Sequence, residues 1–260
     1  MNDPSMMDNP TKVMVAGDWH GSGAWAQKAI WHGHKAGAEV VVHLGDFGFW
    51  TDCSDTTKYL RHIQRTLEDT DTVLYWVDGN HEDHDRIKTT GGNLPEYPRI
   101  VYLPRGFRWE WHGKTWMALG GAHSVDRLMR TPGRSWWPDE HLSEDQVEYA
   151  SRPGAVDVMV CHDCPDGVAI PGIHAIEKQL SDPQGFWPPS EIAASFAHRM
   201  KLSRVVQAVR PKVLYHGHYH VRYDGLYDVD GVTFPVRGLD MDATELDRNT
   251  MVLDLTLPTP

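Results

Sequence analysis

Asp, His and Asn recur just past the ends of short apolar runs, usually beside a glycine. Gly17-Asp18-Trp19-His20 follows the run Lys12 to Ala16, Gly45-Asp46 follows Glu39 to Leu44, and Gly79-Asn80-His81 follows Thr72 to Val77. His162 closes the run Val156 to Cys161, and Gly217-His218-Tyr219-His220 comes after Val213 to Tyr215. Carboxylate, amide oxygen and imidazole together suit divalent cations such as manganese, iron and zinc. Asp18, Asp46, Asn80, His162 and His218 are separated in turn by 28, 34, 82 and 56 residues. Such distances suit ligands delivered by successive strands, not a zinc finger, whose ligands lie close in sequence. In D-x-H and H-x-H the outer side chains fall on the same side of an extended backbone, so each triplet can chelate one ion. One triplet alone says little, since about one or two D-x-H triplets arise by chance at this composition. Asp139-Glu140-His141, away from any apolar run, is one of these.

The elements that must carry these residues alternate between strand and helix. A helical stretch runs from Ser22 to Ala36 and stops at Gly37, and Ser54 is placed to cap a second helix through about Glu68. This alternation predicts a sheet covered by helices, with sites on the loops after the strands. From Arg99 onward short strands dominate. Phe107 to Trp111, a three-residue turn His112-Gly113-Lys114, and Thr115 to Leu119 read as a hairpin feeding Gly120-Gly121-Ala122-His123. Asp126 to Glu140 lacks periodicity and reads as a long loop. Ser143 caps a short helix, Ser190 caps a longer one over Glu191 to Val209, and the remainder closes as antiparallel strands with Asp230-Gly231 as a turn. Without repeats or a dividing linker, residues 1–260 are expected to form a single domain, with 1–10 as a flexible N-terminal segment.

Composition narrows the function further. The 260 residues carry a formal charge of −11, which disfavours extended nucleic-acid binding, since that rests on a basic surface. The apolar runs are strand-sized, so no membrane span is expected. The first ten residues have neither the basic nor the apolar character of a targeting signal. Three cysteines, Cys53, Cys161 and Cys164, argue against a disulfide framework and fit a reducing, cytoplasmic setting. Cys161-x-x-Cys164 has no second pair to complete a zinc site.

Taken in order, Gly17-Asp18-Trp19-His20, Gly45-Asp46, Gly79-Asn80-His81-Glu82, His162 and Gly217-His218-Tyr219-His220 resemble the calcineurin-like metallophosphoesterase superfamily over residues from about 12 to 220. The loop G-G-A-x-S-x-D with its later W-W-P-x-E is similar to small bacterial and phage members. The resemblance implies an α/β fold, a four-layer α/β/β/α sandwich, with two divalent metal ions at one edge. Asp18, His20 and His220 would hold one ion, Asn80, His162 and His218 the other, and Asp46 would bridge them. His81 would stand outside the metals as general acid. Manganese is the expected metal, with iron, zinc or nickel compatible with the same donors. Two such ions about 3.5–4 Å apart clamp a phosphate and acidify a water between them. In-line attack by that bridging hydroxide on a small phosphodiester, cyclic or nucleotide-like, is the implied reaction. The alternatives are a phosphomonoesterase or protein phosphatase. A DNA nuclease is disfavoured by the acidity, and a non-catalytic scaffold by retention of the ligand set.

The chain departs from the protein Ser/Thr phosphatases of that superfamily in its second block. Gly45-Asp46-Phe47-Gly48-Phe49-Trp50 has Phe49 where those enzymes continue with Asp, and lacks their following Arg. Glu82 or a nearby Asp is then left to orient His81. Arg127, Arg130 and Arg134 of the long loop are candidates to grip phosphate oxygens, because a guanidinium fork matches them. Trp136 and Trp137 could form an apolar wall against a ring of the substrate. His123, following two glycines, is a further candidate for substrate contact. The remaining histidines, His141, His174 and His198 among them, are expected to be structural.

Overall fold

A computed structural model describes residues 4–173 and 185–258. In chain order the strands are β1 (Lys12–Ala16), β2 (Val40–His43), β3 (Val73–Trp76), β4 (Ile100–Tyr102), β5 (Arg108–Trp111), β6 (Lys114–Leu119), β7 (Val158–Cys161), β8 (Val213–His216), β9 (Tyr223–Val229), β10 (Val232–Gly238) and β11 (Thr250–Asp254). The helices are α1 (Gly23–Lys35), α2 (Ser54–Asp69), α3 (His84–Thr90), α4 (Glu144–Ala150), α5 (Pro189–Val209) and α6 (Leu246–Asn249). One sheet has the order β11-β1-β2-β3-β4 and the other β5-β6-β7-β8-β10-β9. β1 to β4 run parallel, as do β6, β7, β8 and β10.

Strands covered on both faces read as continuous apolar runs, which is why V-V-V and V-M-V-C show no alternation. In the first sheet Met14, Ala16, Val41, Leu74 and Trp76 pack beneath Ile30 of α1 and Leu60, Ile63 and Leu67 of α2. Its opposite face, with Val13, Val15, Val40, Val42 and Tyr75, meets Trp109, Trp116, Val158, Val160, Val213 and Tyr215 of the second sheet. Beyond that, Met117, Met159 and Leu214 are covered by Val147 of α4 and Leu202, Val205 and Val206 of α5. The layers are therefore helix, sheet, sheet, helix, as expected.

Several local expectations shift. The β5–β6 turn has two residues, not three: His112 (φ 50°) and Gly113 (φ 67°) are both left-handed, and Trp111 pairs with Lys114. Two left-handed residues match the strand twist directly. α5 starts at Pro189 with Pro188 at the cap, so Ser190 lies within the helix; proline is pre-organised for a first helical position. Within the loop from Asp126 to Glu140, Arg127–Met129 and Pro138–Glu140 form 3-10 turns. β9 and β10 form the closing hairpin, turning at Asp230-Gly231, but β11 returns to pair antiparallel with β1. α3, not anticipated, is capped by Asp83, which accepts from Arg86 N. Near the start of the described residues, Met6 and Met7 make defined contacts. Tyr75 Oη accepts from Met7 N at 2.7 Å, Met7 O accepts from Trp111 Nε1 at 2.8 Å, and Met6 and Met7 pack on the central core. His174 lies outside the described residues.

Candidate active site

Parallel strands place their C-terminal ends along one edge of each sheet, and the two edges meet. Asp18 and His20 follow β1, Asp46 follows β2, Asn80 and His81 follow β3, His162 follows β7, and His218 and His220 follow β8. Around Asp18, His220 Nε2 lies 3.1 Å and His20 Nε2 4.0 Å from Oδ2. Around Asp46 Oδ2, His162 Nε2 lies at 3.4 Å, His20 Nε2 at 3.6 Å and His81 Nε2 at 3.8 Å. Asn80 Oδ1 is 3.1 Å from His162 Nε2, and the His218 ring centre is 5.0 Å from that of His162. Asp18–His20–His220, Asp18–Asp46–His162 and His20–Asp46–His81 are each spaced to hold a metal ion, and Asp46 enters two of the three sets.

The local backbone is bent to produce this. His20 (φ 44°), Asp46 (φ 53°), His218 (φ 68°) and His220 (φ 54°) all occupy the left-handed region, which non-glycine residues adopt at a cost. The adjoining glycines give space. A Cβ on Gly79 would collide with Asp46 Oδ1, and one on Gly217 would collide with Asp18 Oδ1. Asn249, at the end of α6, accepts from Trp19 Nε1 and Trp25 Nε1 and donates to Asp18 O and Asp240 O, which ties down the first ligand loop.

The imidazoles are set from behind. His162 Nδ1 donates to Leu44 O at 2.8 Å, leaving Nε2 turned to Asn80 and Asp46. His20 Nδ1 donates to Asp242 Oδ1 at 3.0 Å, leaving Nε2 turned to Asp18 and Asp46. A carboxylate or carbonyl behind the ring is the usual way a metal-binding histidine is oriented. Asp242 escaped the sequence reading, because a lone Asp after β10 carries no motif.

Electrostatics also fit cations. Asp18 and Asp46 are buried, and their ion-pair partners among the described residues are all imidazoles. Burial alone would lower His20 and His162, yet Asp46 and Asp18 outweigh it and raise each to about 10. His218, whose burial dominates, is lowered to about 3. For Asp18, burial pushes upward, but the hydrogen bond from His220 and the nearby His162 hold the carboxyl down at about 2. The family to which these motifs point uses two divalent ions, and this donor set of buried carboxylates, an amide oxygen and oriented imidazoles fits them.

Glu82 does not orient His81. Its carboxylate turns inward and accepts from the backbone N–H groups of Asp46, Gly48 and Gly79; burial and Asp46 push it up to about 8. His81 instead meets Arg130, whose Nη2 donates to His81 Nε2 at 2.7 Å. Burial and the Arg130 cation lower the pKa of His81. Phe49 is core, with its ring 5.1 Å from Trp76 and the Arg86 guanidinium 4.7 Å from its face.

The other loop residues divide. Arg127 grips Glu191 at 2.9 and 2.7 Å and lies over the Trp136 ring, so it is engaged away from His81. His123 is buried against Glu191 and His141, which removes it from substrate contact. Arg134 and Trp137 line a cavity of about 280 Å³ with His81, Trp50, Thr51, Cys53, Thr56 and Ser135. Trp137 is anchored there by its Nε1 donating to Asp85 at 3.1 Å. Cys161 and Cys164 join none of the candidate metal sets among the described residues.

The profile of the calcineurin-like phosphoesterase family matches residues 11–222. Among solved structures, a dimetal phosphatase from Danio rerio is 12% identical with a TM-score of 0.54, covering 94% of this chain and 92% of its own. The protein TT1561 of Thermus thermophilus is 9% identical with a TM-score of 0.55, covering 95% of this chain and 99% of its own. At these identities the likeness is one of fold. A sequence search of the curated proteins finds no match.

Proposed function

The chain belongs to the calcineurin-like phosphoesterase family, and from that premise we propose that it hydrolyses small phosphodiesters with two divalent metal ions. Asp18, His20 and His220 hold one ion in this reading, Asn80, His162 and His218 the other, and Asp46 serves both. When bound, the ions supply Lewis-acid contacts to phosphate oxygens and an acidified water. Manganese is the metal proposed for this mixed oxygen and nitrogen set.

The chain's own residues handle the leaving group. While Arg130 donates to His81 Nε2, that nitrogen carries no proton. An arriving phosphate oxygen draws the guanidinium away, because a charged acceptor outcompetes an imidazole. His81 Nε2 then takes a proton from solvent and passes it to the departing oxygen, which leaves the ring neutral again.

The observation that carries the diester preference is the cavity beside His81. A diester needs room for a second substituent, and a monoester needs more cationic contact for its extra charge. The cavity provides space between Trp50 and Trp137, with Arg134 as its one lining arginine among the described residues. Arg127 is already committed to Glu191. The free thiol of exposed Cys53 supports a reducing, cytoplasmic setting. Among the described residues no helix is long and apolar enough to cross a membrane. The test is turnover under manganese of a bis-aryl phosphate, the matching aryl phosphate and cyclic nucleotides. A higher kcat/KM for the diesters is expected, and turnover of monoesters alone overturns the reading.

A further inference from the structure

Apart from the sets at the strand ends, one other group of donors among the described residues converges on a point. His123 Nδ1 lies 2.6 Å from His141 Nε2, and Glu140 Oε1 lies 3.7 Å from the first and 3.6 Å from the second. Ligand atoms at ordinary zinc–nitrogen distances on a tetrahedral ion are about 3.3 Å apart. The two edges to Glu140 lie near that value, while the imidazole edge is shorter, as in a pair sharing one proton, and must open to admit an ion.

The surroundings are those of a metal site. His123 Nε2 faces Glu191 Oε2 at 3.1 Å, so a carboxylate backs the ring and leaves Nδ1 to the cluster. Arg127 and Ser190 hold Glu191 in turn. Glu140 is fully buried and accepts from Ser124 N at 2.9 Å and Ser124 Oγ at 2.6 Å, yet its ion-pair partners among the described residues are only the two histidines. His198 packs alongside, its ring centre 5.7 Å from that of His141, with a buried Nε2 that has no hydrogen-bond partner.

We propose that His123, Glu140 and His141 bind a third divalent ion, zinc, which staples the base of the long loop. Two imidazoles and one carboxylate form a donor set zinc accepts, with a water completing the tetrahedron. His123 and His141 are the two ends of the segment that carries Arg127, Arg130, Arg134, Trp136 and Trp137. Apart from two 3-10 turns and one isolated bridge, Pro132 to Trp136, that segment has no regular helix or ladder. Arg105 ties its second end by donating to Asp139 O, Glu140 O and His141 O, and an ion shared by His123 and His141 joins that end to the first. Ser124 links the root to the strand-end cluster, since its Oγ donates to Glu140 and accepts from Asn80 Nδ2 at 3.0 Å. The ion is thus structural, and its presence does not depend on the phosphodiesterase reading.

The full chain, loaded with zinc and desalted, is counted by plasma mass spectrometry and crystallised for anomalous scattering at the zinc edge. Three zinc ions per chain are expected, with one fewer in His141→Ala and one retained in Asp18→Asn/Asp46→Asn. An anomalous peak is expected within bonding distance of His123 Nδ1 and His141 Nε2. Limited proteolysis is expected to cut His141→Ala faster between residues 124 and 140. A count of two in both wild type and His141→Ala, or a wild-type map with no peak at the histidine pair, overturns the proposal and leaves a proton-sharing pair. Should either variant fail to fold by circular dichroism, the wild-type map alone decides. Failure of the phosphodiesterase reading shows in the turnover comparison; any loss of the strand-end ions alters the total but leaves the difference of one between wild type and His141→Ala, and the peak at the histidine pair, unchanged.

Discussion

Asp242 stands far from His20 in sequence, yet its carboxylate accepts the Nδ1 hydrogen bond of that ring at 3.0 Å. It does two things for the ring. It fixes the tautomer that leaves Nε2 free toward Asp18 and Asp46, and its charge makes Nε2 a more basic ligand. Asp242→Asn keeps an oxygen acceptor and removes the charge, whereas Asp242→Ala removes both. Partners behind a metal-binding histidine are worth about 10- to 100-fold in affinity. The Asn variant therefore belongs near the lower end, about 1.4 kcal/mol, and the Ala variant near the upper, about 2.7 kcal/mol. The fold should tolerate both changes. The side chain is 21% exposed, and the Asp242 N–H that donates to Asp18 O at 2.8 Å is a backbone group retained in each variant. The loss should fall on the ion held by Asp18, His20 and His220 and spare the other. Calorimetric titration of metal-free protein with manganese should then show one shifted and one unshifted binding event, with kcat recovering at high metal. Equal affinities in wild type and both variants would refute the role given to Asp242. So would a larger loss in Asn than in Ala.

Arg130→Ala removes the guanidinium that moves from His81 to a phosphate oxygen in the scheme above, and losing that charged hydrogen bond, about 1.5–3 kcal/mol, should lower kcat/KM by about 10- to 150-fold. Burial and Arg130 hold the His81 pKa down, so losing the cation raises it; activity that needs protonated His81 should then persist to higher pH, and an unmoved alkaline limb contradicts the pairing. His20 and His162, raised to about 10 by Asp46 and Asp18 against the opposing effect of burial, are protonated in metal-free protein at about pH 8. Metal ions bind the neutral rings, so loading should release protons and weaken as pH falls; binding heats identical in buffers of different ionisation enthalpy would count against this. Gly217→Ala drives a Cβ into Asp18 Oδ1, and overpacking of about 1–3 kcal/mol should lower Tm and cost metal. Gly113→Asn, left-handed but with nothing within 4 Å, serves as the tolerated control in the same melting experiment.

Most of the strand-end residues were legible because they combine two local demands, while His81 and His162, which have neither mark, were read from their place after a strand. A donor side chain sits beside a glycine or takes a left-handed bend, so the short motif reports both chemistry and backbone shape, as Gly79-Asn80 and Gly217-His218 do. A sheet covered by helices was legible from the alternation of strand and helix, whereas the four-layer order came only with the resemblance that the ordered motifs carry. What the sequence hid has no such local mark. Asp242 acts across 222 residues, Arg127 finds Glu191 across 64, and Arg130 finds His81 across 49. Three arginines in one loop look alike on paper, and only the partner each one reaches separates an anchor, a neighbour of His81 and a cavity wall. His141 shows the same limit from the other side. It belongs to a D-x-H triplet with no strand before it, and that absence marks it as chance as long as ligands are expected only at strand ends. A loop whose two ends return to one point can gather donors just as well, and it does so by closing on itself. Residues at the root of a long irregular loop therefore warrant the same scrutiny as residues at strand ends, because both are places where the backbone is forced to converge.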